Sequence, residues 1–160
     1  MKFILFSSLS IFFFQISFSQ NFSSWNYQAE CVDVSASNST KIKVTNFDKK
    51  SKTDIDLEKK MALHAILFKG IAGASNCISQ PPLIKKEDLK INKRYFKILF
   101  GKKAYYNKYI ISVEEIEHSG LDENNFKQSD KHSAIVVVVK DLLRKDLIND
   151  KIIKSLTNGF

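Results

Sequence analysis

The residues able to do chemistry are few in this 160-residue chain, and their spacing assembles no reaction. His64, His118 and His132 are scattered, and none has a His, Cys or carboxylate neighbour at a spacing typical of zinc sites. His64 falls on or beside the apolar side of a helical pattern, as a core or boundary histidine does. Glu114-Glu115-Ile116-Glu117-His118 is the densest acidic cluster. On a strand, Glu115 and Glu117 would share one face and Glu114 the other. That describes a solvated strand end, with a weak cation site as the alternative. No Gly-x-Ser-x-Gly elbow, phosphate loop or dinucleotide fingerprint is present. Gly70-Ile71-Ala72-Gly73 follows a helical pattern instead of opening one, so its amides form no anion cradle. A hydrolase built on Cys77 would need a reduced thiol, and no His or Asn partner is marked for it. These residues point away from catalysis, with a hydrolase on Cys77 or on a His/carboxylate pair in a polar cleft as the remaining alternative, and no cofactor or dedicated metal site is expected.

The segment with most to offer a partner is Lys93–Tyr109, KRYFKILFGKKAYYNKY. Lys93, Arg94, Lys97, Lys102, Lys103 and Lys108 alternate there with Tyr95, Tyr105, Tyr106 and Tyr109. Lys93, Arg94, Lys102, Lys103, Tyr105 and Tyr106 are the candidate binding residues, suited to a partner protein, an anionic lipid head group or an anionic glycan. The competing reading is an amphipathic helix and edge strand whose aromatics are core and whose lysines face water and guard the edge. Nucleic acid is excluded as a partner. The formal charge is +8, yet Arg94 and Arg144 are the only arginines, and arginine is the residue that reads bases and phosphates bidentately.

Compartment is written at the N-terminus. Lys2 precedes an apolar, Phe-rich run, Phe3–Phe6 and then Leu9 and Ile11–Phe14, and Ser17-Phe18-Ser19 ends it with small residues two apart. This is the layout of a secretory signal peptide, and the apolar part is short for a membrane span. Residues 1–19 would be removed, leaving 20–160 as one domain without a transmembrane span and localised to the periplasm, to the outer membrane or outside the cell. Gln20 would be the first mature residue, which closes the lipoprotein route. Export also places Cys31 and Cys77 where disulfides persist, and their even count favours a bridge over two buried thiols.

The elements that must hold these residues follow from periodicity. From Tyr27 an alternating run, with Cys31, Val32, Val34 and Ala36 read as facing one way, precedes the turn residues Ser37-Asn38-Ser39. Ile42 and Val44 then alternate with Lys41, Lys43 and Thr45, completing a β-hairpin. A helix over Thr53–Lys69 is expected, capped by Ser51 or Thr53, with Leu57, Met61, His64 or Ala65, and Phe68 at helical spacing and Gly70 as its stop. Pro81-Pro82 keeps the next segment a loop. A short helix over Lys93–Phe100, a strand over Tyr106–Ile116 with Tyr109, Ile111 and Val113 on one side against polar neighbours, a polar loop from His118 to Lys131 and a strand over Ala134–Val139 follow. A last helix is capped by Asp141 and runs through Leu143, Leu147 and Ile152 to Leu156, where Asn158-Gly159 stops it. The order ββα-α-ββα predicts an α+β fold, a four-stranded mostly antiparallel sheet with helices packed on one face.

Several segments are similar to an uncharacterised family of small exported bacterial envelope proteins: Glu30-Cys31-Val32, Lys60 to Gly70, Cys77 to Pro82, and Ile135 through Leu147. More remotely, the Ala-bearing helix and the β-branched strand running into a Leu-rich helix resemble the N-terminal domain of FlgT and related envelope lipoproteins. That resemblance implies an assembly role at the outer membrane. The expectation is a non-catalytic protein-docking module of the envelope, with a periplasmic small-molecule or glycan binder as the alternative.

Overall fold

The computed structural model describes residues 25–34, 39–47, 54–74, 77–116 and 132–154. The segment expected as a signal peptide, most of the expected first turn, the expected polar loop from His118 to Lys131 and the expected end of the last helix lie outside them.

Four strands, β1 (Tyr27–Val34), β2 (Thr40–Asn46), β3 (Ile110–Ile116) and β4 (His132–Val138), form one antiparallel sheet in the order β1-β2-β4-β3. β4 is the Ala-Ile-Val-Val-Val run, and it occupies the middle of the sheet, as its unbroken apolar pattern implies. Register aligns Cys31, Ile42 and Val136 in one row and Ala29, Val44 and Ala134 in the next. All six are buried and form one face. The opposite face carries Gln28, Lys41, Lys43, Thr45 and Glu114, the polar half of the alternation.

Two bulges move side chains off the faces that simple alternation gives them. On β1 the register shifts between Cys31 and Asp33, so Val32 has no partner and Val34 ends half exposed. The expected alignment of Val32 and Val34 with Cys31 is therefore wrong. On β3 the shift falls between Ile110 and Ser112, and Ile111 turns outward at 60% exposure instead of facing the core with Val113.

Helix α1 (Ile55–His64) lies across the buried face and touches all four strands. Its cap is Asp54, whose Oδ1 accepts from the amides of Asp56 (3.0 Å) and Leu57 (3.2 Å), not Ser51 or Thr53. The helix widens into a π turn over Ala65–Lys69 and stops at Gly70, where φ is +86° and an added Cβ would sit 3.0 Å from the Gln80 carbonyl. The buried face runs through Glu58, Met61, Ala62, Ala65 and Ile66, with Leu57 only half buried.

The loop after α1 covers the outer edge of β1. Ile71 and Ala72 run parallel to it: Cys31 N–H donates to Ala72 (2.8 Å) and Ala72 N–H to Ala29 (3.1 Å). Lys69 Nζ donates to the Tyr27 carbonyl on the same edge, its charge 4.3 Å from that ring's centre. With those carbonyls and amides taken, this edge cannot accept a foreign strand there. Cys31 and Cys77 fasten the loop from the other side, their Cα atoms 5.7 Å apart and their sulfurs at disulfide distance.

Two short helices, α2 (Lys86–Ile91) and α3 (Lys93–Leu99), follow, and the sequence pattern had predicted only the second. Residues Tyr105–Tyr109 form a 3₁₀ turn entered through Ala104 at φ +50°, so the strand expected from Tyr106 begins only at Ile110. The last helix, α4 (Lys140–Asn149), buries Leu143 and Leu147. Asp141 lies inside its first turn and caps nothing, and the helix closes at Asp150, short of the predicted end.

Candidate docking surface

From the loop before α2 to the 3₁₀ turn, Lys85–Lys108 carries nine basic residues against Glu87 and Asp88, a net +7 beside +8 for the whole chain. All nine cations are exposed. Among the described residues only Lys108 of the nine forms an ion pair, 2.7 Å from Asp146. The rest of the chain is close to electrically balanced, so the net positive charge is concentrated in this segment.

A rigid aromatic base holds this surface. Phe96, Leu99 and Phe100 are buried beneath α3. Phe96 meets Phe68 edge to face at 4.9 Å, and Phe100 stacks near Tyr106 at 6.2 Å and meets Trp25 at 6.5 Å. The 3₁₀ turn is pinned twice. Tyr106 O–H donates to Asp56 Oδ1 on α1, and Tyr109 O–H donates to Asp146 Oδ2 on α4 at 3.0 Å. Burial opposes ionisation of Asp56, yet Lys60 at 2.6 Å and the Tyr106 hydroxyl outweigh it and hold the carboxyl below its usual range. Lys108 is the main cause of the same lowering at Asp146, helped by Tyr109. Burial first, and then these carboxylates, push both phenols up, so they remain donors at physiological pH.

The predicted binding residues therefore divide. Lys93, Arg94, Lys102 and Lys103 are exposed, and Tyr105 is half exposed. Tyr106 is fully buried and structural, which removes it from any binding surface, and Tyr109 is buried as well. The surface also begins earlier than Lys93. Lys85, Lys86, Lys90, Ile91 and Ile98 belong to it, with Ile91 80% and Ile98 52% exposed. The charge run of Lys85, Lys86 and Lys90 was the signal for the first three. The isoleucines carried none, because at helical spacing an isoleucine reads as core.

Other candidate chemistry stays apart. His64 Nδ1 shares a 2.6 Å hydrogen bond with Tyr27 Oη, and the ring lies against Trp25 and Phe68. Burial, with a smaller contribution from Lys69, lowers its pKa to about 4. A histidine protonated more readily unfolded than folded withdraws stability as pH falls from 6.5 towards 4. Replacing His64 by Gln should remove that loss, worth about 2 kcal/mol at a pH near 5. Urea melts of both proteins at several pH values test this, and parallel curves would refute it. Glu114 and Glu115 point to opposite faces of β3, and Glu117 and His118 lie outside the described residues. Among the described residues no group of His, Cys, Asp and Glu is arranged to hold a metal, and no helix is long and apolar enough to cross a membrane. An open groove of about 690 Å³ runs along the edge of β1 between Tyr27, Phe47, Lys69 and Gln80. None of the tyrosines of Lys93–Tyr109 lines it. No protein-family model, curated protein or solved structure matches the chain, which leaves the surface to be read from its own chemistry.

Proposed function

We propose that this is an exported, non-catalytic docking protein of the cell envelope, periplasmic or held near the outer membrane, which attaches to its partner through the basic face of α2, α3 and the 3₁₀ turn. One observation carries the reading: nine exposed cations with a net +7 stand on a fixed aromatic base. A solvated lysine coat needs no such segregation, whereas a docking face gains both attraction and orientation from it. The signal-peptide pattern and the resemblance to small exported envelope proteins support the compartment. In fractionated cells, native protein should stay with washed envelopes, and replacing Lys93, Arg94, Lys102 and Lys103 together by Gln should release it. Equal retention of the variant would rule this face out.

The groove beside β1 favours a second reading, a periplasmic binder of a small molecule or glycan. A native protein recovered soluble and alone from gently opened cells would turn the argument that way.

A further inference from the structure

Resting on the docking reading, we propose that the surface this face meets is the head-group layer of an anionic phospholipid bilayer, with Ile91 and Ile98 entering it among the lysines. Ile91 closes α2 and Ile98 lies in α3, and both are exposed, at 80% and 52%. Their sequence neighbours Lys90, Lys93, Arg94 and Lys97 are exposed cations. Arg94 and Ile98 are one helical turn apart, so charge and branched apolar carbon share the outer side of α3.

That mixture separates the possible partners. A protein interface core is depleted in lysine and enriched in aromatic rings. A neutral glycan is held largely by rings that stack on the sugar, and an anionic glycan, though it pairs with cations, gives an exposed isoleucine no apolar layer to enter. Here Phe96, Phe100, Tyr106 and Tyr109 face inward, leaving half-exposed Tyr105 as the main ring on the outside. Lysine suits a lipid surface instead: a flexible stem lies along the apolar boundary while the ammonium stays among phosphates. Isoleucine has a use there that a glycan or a charged protein surface does not give it. Helices of six and seven residues cannot span a bilayer, but they can lie on one.

The test is co-sedimentation of the full chain with phosphatidylcholine vesicles, either pure or containing roughly one-third phosphatidylglycerol, at about 0.1 M salt. The expected result is binding to the anionic vesicles alone. Replacing Lys93, Arg94, Lys97 and Lys102 by Gln should weaken partitioning by about a hundredfold or more, since each cation near such a surface is worth about fivefold. The double variant I91S/I98S keeps the charge and should lose about tenfold. Lys41→Gln with Lys43→Gln, on the opposite face of the sheet, should bind as the native chain does. Thermal melts establish that each variant is folded. Absence of binding to anionic vesicles overturns the proposal, and so does a folded I91S/I98S variant that binds undiminished. If vesicles do not hold the protein but native envelopes do, and replacing Lys93, Arg94, Lys97 and Lys102 by Gln releases it from them, docking stands and its partner is not the lipid. If neither holds it, both readings fall.

Discussion

Replacing Glu58 by Gln is expected to stabilise this protein by about 3 kcal/mol at a pH near 8 and to leave it unchanged near pH 4. Glu58 projects from the sheet-facing side of α1, is 2% exposed, and neither carboxylate oxygen has a hydrogen-bond partner among the described residues. Burial is the main reason its pKa rises to about 7. Glu115, on the helix-covered side of β3, and Asp54 add to it. The folded protein therefore binds the proton more tightly than the unfolded chain, whose value is 4.5. Stability from this group is fully present below about 4.5, and it is lost as pH rises through 7. His64 has the opposite sign over 6.5 to 4, so the two slopes largely cancel between about 4.5 and 6.5 in the native protein. Removing either group should expose the other. Urea unfolding of E58Q across pH 4–8 checks this, and a pH-independent difference from the native protein would refute it.

Loss of the Cys31–Cys77 bridge should cost about 3–4 kcal/mol, because a 46-residue separation closes a long loop in the unfolded chain. For a chain of this length that is a fall in Tm of about 10 °C. The structural consequence is local first. Without the bridge, the Ile71–Ala72 segment rests on β1 through the Cys31–Ala72 and Ala72–Ala29 hydrogen bonds. Amide exchange at Cys31 and Ala72 should therefore rise before exchange at the β2–β4 pairing, which holds the centre of the sheet. Melts with and without reductant, together with alkylation of the unfolded chain, measure both effects. Alkylation of both thiols without reductant, or an unchanged Tm, would show that the pair is not bridged in solution.

Much of the fold was legible in the sequence where periodicity is long and unbroken. The hairpin, the helix from Ile55, the central strand at Ala134–Val138 and the α+β class all follow from it. The misses are places where a single residue breaks the period. Val32 and Ile111 are extra residues in their strands, and an inserted residue flips every side chain after it to the other face. Tyr105–Tyr109 looks extended because tyrosine favours strands, but its hydroxyls take Asp56 and Asp146 and hold the chain as a 3₁₀ turn. Those partners are 50 and 37 residues away, beyond any local window. The candidate surface was half legible: its charge could be counted along the chain, whereas the inward turn of Tyr106 and the outward turn of Ile91 and Ile98 could not.

By itself, the sequence determined which segments have an apolar side, where chain reversals fall, and that the positive charge is crowded into Lys85–Lys108. These are local properties, fixed by residue type and spacing of a few positions. The tertiary structure alone decided that Glu58 is entombed beside Glu115, that Tyr27 meets His64, and which side chains of the basic segment reach solvent. Each depends on long-range packing of α1 and the aromatic cluster against the sheet, where burial of many apolar groups outweighs the cost of one misplaced carboxylate.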